Sequence, residues 1–153
     1  MSLQSHRCIT WQDVQIVANE LARKLNGEHY DVVIGINRGG LIPARLIAEL
    51  IDVKNIDIID MKMFVKEIFD RFEKYERILI VDDINDTGET FMKIRGMLED
   101  NKMNNPKLIR VASLFKRYNS KFENSLEGEI VTDNKWLIFP WEMDIVQVKG
   151  IRC

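Results

Sequence analysis

The sequence predicts an α/β domain, a mostly parallel central sheet flanked by helices with a small hood formed by the C-terminal segment. Three observations point there. Short β-branched apolar runs recur at 31–37, 55–64, 77–83 and 108–115. Segments with apolar residues at helical spacing lie between them. Unusual polar chemistry follows directly after several of these runs, and ligands in parallel sheets bind beyond the carboxyl ends of the strands.

The elements follow in order. Met1 to Ile9 reads as a loose leader. Thr10 with Asp13 three residues on is a capping pattern, and Trp11, Val14, Val17, Ala18, Leu21 and Leu25 continue at helical spacing, so Thr10 to Leu25 is predicted helical. Asn26-Gly27 ends it. Asp31 to Asn37 is short, apolar and β-branched, as expected of a strand buried on both faces. Arg38-Gly39-Gly40 breaks it, and Leu41 to Ile51 reads as a helix with Pro43 tolerated in its first turn. Asn55 to Phe64 is a second strand. Val65, Ile68, Phe69, Phe72 and Tyr75 then share one helical face. Arg77 to Asp83 is the strongest strand, Thr87 to Asp100 the helix after it, and Leu108 to Phe115 a further strand. The segment Trp136 to Trp141 is aromatic and reads as extended.

Length and composition set bounds. The 153 residues fit a single domain, 1–153, in which 117–153 forms the hood. Hydrophobic residues make up 46% and charged residues 30%, ordinary for a globular chain. The net charge of −2 offers no clustered basic face for a phosphate backbone, so no nucleic-acid partner is expected. Cys8 and Cys153 sit near opposite ends with no metal-ligand spacing and no visible disulfide framework, which makes a reducing compartment the default. No apolar run approaches the roughly 20 residues that span a bilayer, and the N-terminus is too polar for a signal peptide. The expected location is the cytoplasm, with no membrane partner.

The segment Ile80 to Thr90 carries the strongest signal. An apolar strand delivers Asp82 and Asp83, then Asp86, Thr87, Gly88, Glu89 and Thr90 lead into a helix. A helix N-terminus offers unpaired amides, Gly88 permits close approach, and Thr87 and Thr90 add hydroxyls, which together make a phosphate cradle. The neighbouring carboxylates suit sugar hydroxyls. The Gly-Lys-[Ser/Thr] element of a Walker A loop and the spaced glycines of a dinucleotide fingerprint are both missing. Upstream, Asn37, Arg38, Gly39 and Gly40 form a second post-strand loop with inward amides and a guanidinium, suited to pyrophosphate but equally a plain turn when taken alone. Lys116 lies beyond Phe115. The tail Trp136-Leu137-Ile138-Phe139-Pro140-Trp141-Glu142 offers an aromatic face for a planar base or, alternatively, a cover for the core edge.

The order apolar strand, two acidic residues, two variable residues, Asp-Thr-Gly-x-Thr resembles the motif with which type I phosphoribosyltransferases bind 5-phosphoribosyl-1-pyrophosphate (PRPP). The tail is similar to that of xanthine-guanine and other 6-oxopurine members. That resemblance spans about Thr10 to Met143. It implies the type I fold and transfer of a phosphoribosyl group from PRPP to guanine, hypoxanthine or xanthine in purine salvage. It implies Mg²⁺ as cofactor, linked to Asp82 and Asp83, directly or indirectly, while they hold the ribose hydroxyls. Asp86 to Thr90 would bind the 5′-phosphate, with Asp86 also catalytic, and Asn37 to Gly40 would bind pyrophosphate. Lys116, Trp136 and Leu137 would contact the purine, and a homodimer or higher homo-oligomer is expected. Family members usually carry a mobile loop between the second strand and the PRPP strand. Here Met61 to Glu76 is short and contains no Ser, Gly or Pro. Asn85 stands where an apolar residue is common. Two alternatives remain open: a PRPP- or nucleotide-binding regulator on the same scaffold, and transfer to a different base such as adenine or orotate.

Overall fold

A computed structural model describes residues 5–100, 106–143 and 149–153. A five-stranded sheet runs in the order β3-β2-β4-β5-β6 and is parallel throughout. Its strands are β2 (Val32–Ile36), β3 (Ile56–Ile59), β4 (Arg77–Asn85), β5 (Leu108–Arg117) and β6 (Leu126–Val131). The helices are α1 (Trp11–Leu25), α2 (Leu41–Leu50), α3 (Val65–Phe72) and α4 (Glu89–Asp100).

Strand periodicity decides which face each helix covers. Val33, Leu79, Val81 and Ala112 join α1 and α2 in one core. Val32, Ile34, Ile78 and Ile80 join α3 and α4 in the other. Both faces of the central strands are thus dry, which is why β2 and β4 read as unbroken apolar runs rather than alternating ones. The capping box on α1 forms as predicted, with Thr10 Oγ1 accepting from Asp13 N at 3.1 Å and Asp13 Oδ2 accepting from Thr10 N at 2.9 Å.

Four expectations need correction. The leader is not loose over residues 5–9. His6–Cys8 forms β1, parallel to β7 (Trp136–Ile138), and Ile9 is fully buried; residues 1–4 lie outside the described residues. The hood is this small β1–β7 layer with the 3-10 turn Pro140–Glu142, while β6, within the span 117–153, joins the main sheet. β6 (Leu-Glu-Gly-Glu-Ile-Val) escapes a hydrophobic pattern search because Glu127 and Glu129 interrupt it. It packs closely on α1, where a Cβ at Gly128 would collide with Val17. The strand predicted over Asn55 to Phe64 stops at Ile59, because the Asp60 carboxylate accepts from Lys62 N at 2.9 Å and turns the chain. Finally, Cys8 and Cys153 form a disulfide, with Cα atoms 5.6 Å apart. Chain ends 145 residues apart in sequence meet because β1 carries Cys8 to the C-terminal residues, where His6 Nε2 lies 3.0 Å from the Arg152 carbonyl.

No helix among the described residues is long and apolar enough to cross a membrane.

Candidate active site

Two loops meet above β4. β4 runs two residues further than predicted, so Asp82 and Asp83 are strand residues and only Asp86 to Gly88 form the loop before α4. Gly39, on the loop after β2, lies against Asp83; a Cβ there would fall 2.6 Å from the Asp83 carboxyl carbon. Gly40 is equally confined, since a Cβ would collide with the Ile36 amide at 2.7 Å. The two loops predicted to hold pyrophosphate and ribose are therefore neighbours because glycine permits it.

The Asn37–Arg38 peptide is cis. Asn37 N donates to Ile59 O and Gly40 N to Ile36 O, both at 2.8 Å, so these two amides are spent on the fold. Among the described residues, the amides of Arg38 and Gly39 have no protein acceptor. The Arg38 side chain is exposed and makes no ion pair there, whereas Asn37 Nδ2 donates to Asp60 at 2.9 Å. The anion-binding capacity of this loop thus narrows to Arg38 and Gly39.

Asp82 and Asp83 retain some contact with water yet are recessed in the cleft. Burial pushes the Asp82 carboxyl well above the usual carboxylate range, and the adjacent Asp83 charge adds to this. Burial raises Asp83 as well, with the charge of Glu142 adding to the rise and a hydrogen bond with Asp82 opposing it. Two like charges at this depth call for a proton or a counter-charge. Asp83 N donates to Asp82 Oδ1 at 2.9 Å and Ile84 N to Asp83 Oδ1 at 2.7 Å, which fixes both carboxylates on the strand. No cluster of three or more metal-ligating groups occurs among the described residues. A pair of recessed carboxylates suits a hard cation whose other ligands are water and substrate oxygens, which is the habit of Mg²⁺.

Beyond Asp83 the loop expected to bind phosphate turns at Gly88, whose φ is +88°. Thr87 Oγ1 accepts from Glu89 N at 3.3 Å, and the Thr87 and Gly88 amides have no protein acceptor among the described residues. Asp86, Thr87 and Glu89 line one wall of a cleft of about 410 Å³. Arg117, Asn119, Lys121, Asn134 and Trp136 complete it. Arg117, only 9% exposed in its side chain, donates from Nε to Asp86 Oδ1 at 3.0 Å and from a terminal nitrogen to the Asp133 carbonyl at 2.9 Å. A larger cavity of about 480 Å³ lies between α4 and β5, lined by residues such as Ile94, Leu98 and Val111. It contains none of the motif residues, whereas the smaller cleft contains Asp86, Thr87 and Glu89 and is the candidate site.

The predicted base contacts divide. Trp136 lines the cleft and is 55% exposed. Leu137 points the other way and is buried in the α1–α2 core. Lys116 is also absent from the cleft. β5 continues past Phe115, and alternation sends Lys116 to the opposite face, where Nζ donates to the Glu123 carbonyl at 3.1 Å. Arg117 takes the inward place. It was missed because the strand was ended one turn of the pleat too early. Of the remaining aromatics, Phe139 is buried and Trp141 stacks on it at 4.8 Å, so these serve the core edge. Within the short segment Met61 to Glu76, Val65–Phe72 forms the expected amphipathic helix, α3, with Ile68 and Phe72 buried.

No protein-family model matches the chain. A xanthine-guanine phosphoribosyltransferase from Idiomarina loihiensis is 26% identical over 94% of this chain and 91% of that protein. The crystal structure of a purine phosphoribosyltransferase from Pyrococcus horikoshii is 27% identical, with a TM-score of 0.69 over 90% of this chain and 93% of that one. A Neisseria gonorrhoeae protein with bound ppGpp superposes with a TM-score of 0.76 at 19% identity, over 98% and 97% of the two chains, and shares the fold. The α/β architecture and the resemblance carried by the motifs are both borne out.

Proposed function

We propose that this chain, a type I phosphoribosyltransferase by fold and motif, transfers the 5-phosphoribosyl group of PRPP to a 6-oxopurine base and releases pyrophosphate, a purine-salvage reaction. The observation that carries the reading is the meeting of the Arg38–Gly39 loop with Asp83 beside the Asp86–Thr90 cradle. One site then offers separate binding elements for pyrophosphate, ribose hydroxyls and a 5′-phosphate.

The chemistry follows from these positions. Asp82 and Asp83 hold the ribose 2′- and 3′-hydroxyls, and their charge favours the ribosyl cation that develops as the C1–O bond breaks. The Arg38 guanidinium and the Arg38 and Gly39 amides receive the charge building on the departing pyrophosphate. Asp82 and Asp83 would hold Mg²⁺, directly or through water, and the ion would supply neutralisation of that charge. A purine ring nitrogen attacks C1, and Asp86 accepts its proton through the carboxylate oxygen that Arg117 leaves free. Trp136 presents its ring to the base, and Arg117, which lines the same cleft, donates to the 6-oxo group in this reading.

The reading extends to a cytoplasmic setting, since PRPP is a highly charged phosphate that does not cross bilayers; the Cys8–Cys153 bridge removes the cysteine argument for a reducing compartment and must there persist against a reducing poise. It extends also to a homodimer or higher homo-oligomer, for which the exposed Ile58, Phe64 and Val65 at the β3 edge and the start of α3 offer an apolar patch. A second reading, a nucleotide-binding regulator, is favoured by one feature: α3 is packed down where a closing loop would shield the reacting centre from water. Pyrophosphate release from PRPP and Mg²⁺, with guanine, hypoxanthine, xanthine, adenine and orotate offered separately, separates them. Release with one or more 6-oxopurines supports transfer. PRPP binding without base-dependent release supports the regulator.

A further inference from the structure

The loop between β5 and β6, Tyr118–Ser125, belongs to no motif, yet it forms one side of the cleft. Parallel strands are usually joined through a helix. Here a short extended crossover does the work, and something must hold it in place. Asn85, 1% exposed and immediately before Asp86, does so. Its Nδ2 donates to the Phe122 carbonyl and to Ser125 Oγ, each at 3.0 Å. Its Oδ1 accepts from Ser120 Oγ at 2.6 Å. The Phe122 backbone then presses on Gly88, and Lys121 N donates to the Thr87 carbonyl at 3.1 Å. Asn85 is thus not a stray polar residue on an apolar strand. It uses both ends of its amide to clamp the crossover against the phosphate cradle.

The clamp fixes the backbone of Lys121 beside Thr87 and its side chain in the cleft wall. The charges there make this placement informative. The cradle contains no cation of its own and carries Asp86 and Glu89. Arg117 is committed to Asp86. Lys121 is exposed and makes no ion pair among the described residues. A phosphomonoester dianion entering beside Glu89 needs a positive partner.

We infer that Lys121 is a further binding residue, the cation that neutralises the 5′-phosphate of PRPP and of the nucleotide product. The inference rests on the transferase reading and deepens it at the same site. The test is calorimetric titration of guanosine 5′-monophosphate and of guanosine into the wild-type chain and into Lys121→Met, at low and high salt. Lys121 is on the surface, so the variant should fold; its thermal unfolding is recorded alongside. The wild type is expected to bind the monophosphate more tightly than the nucleoside. Lys121→Met should lose at least about tenfold in monophosphate affinity, show a weaker salt dependence, and bind guanosine as before. Steady-state kinetics should show a raised KM for PRPP with kcat nearly kept. Monophosphate affinity within about twofold of wild type would overturn the role of Lys121 while leaving the transferase reading intact. Failure of the wild type to bind either ligand would overturn both.

Discussion

Replacing Gly88 with alanine tests whether the phosphate cradle is held as tightly as its geometry says. Gly88 has a φ of +88°, a region that disfavours a side chain by about 1–2 kcal/mol. An added Cβ would also meet Phe122 N at 2.6 Å, Phe122 Cβ at 2.9 Å and Ser120 Oγ at 2.9 Å. These atoms cannot step aside freely, because Asn85 holds the Phe122 carbonyl and Ser120 Oγ, and Lys121 N is bonded to Thr87. Overpacking against fixed neighbours adds about 1–3 kcal/mol. The sum is about 2–5 kcal/mol, which for a chain of this size is a fall in Tm of about 5–20 °C. Relief by moving the crossover would displace the cradle, so KM for PRPP should rise at least about tenfold in the fraction that remains folded. Thermal unfolding and PRPP-dependent pyrophosphate release measure the two effects. A Gly88→Ala variant that melts with the wild type and keeps its KM would refute the reasoning about both the crossover clamp and the cradle.

Other predictions concern the base, the acid pair and the disulfide. Arg117→Met should raise KM for the base at least about tenfold and impair turnover through the loss of the Asp86 partner, whereas Lys116→Met should leave base KM within about twofold; the reverse order would restore the sequence-based assignment. Because burial raises Asp82 and Asp83 in the folded chain, the folded state holds their protons more tightly than the unfolded state does. Their contribution to stability is complete below the ordinary carboxylate range and is lost as pH rises through the raised values. The Tm of the ligand-free protein should therefore fall as pH climbs from about 4 towards neutrality, and Asp82→Asn should flatten that profile while impairing PRPP binding; an unchanged slope in the variant would contradict it. The Cys8–Cys153 bridge closes 145 residues, for which chain entropy sets a ceiling of about 5 kcal/mol. Cys8→Ser, or reduction of the wild type, should lower Tm by up to about 10–20 °C, and alkylation of the oxidised chain under denaturing conditions should find no free thiol.

Much of this was legible in the sequence, for identifiable reasons. β2 and β4 are buried on both faces and so announce themselves as continuous apolar runs, and the Thr10–Asp13 box marks the start of α1 locally. The phosphate cradle needs its residues consecutive, so its sequence is its geometry. What sequence hid was non-local. β1 is three residues whose only strand partner among the described residues, β7, lies 130 positions away, His6 facing Trp136. β6 sits at a sheet edge and tolerates two glutamates. Cys8 and Cys153 are separated by 145 positions, so their pairing too is invisible to local pattern. The Lys116 and Arg117 assignment turned on pleat parity, where ending β5 at Phe115 instead of Arg117 left the inward residue unidentified. Asn85 read as a departure from pattern because its three partners belong to a loop with no motif.

The central claim is that these residues catalyse transfer and do more than bind. The direct measurement is nucleoside 5′-monophosphate formed from PRPP, Mg²⁺ and a 6-oxopurine, followed by chromatography for the wild type and for Asp86→Ala side by side. The account predicts stoichiometric monophosphate and pyrophosphate from the wild type, and an Asp86→Ala rate lower by about 10²-fold or more with KM for PRPP changed far less. Wild-type protein that binds PRPP yet forms no nucleotide with any of the three bases, or an Asp86→Ala variant that loses PRPP binding while turnover stays nearly intact, would contradict it.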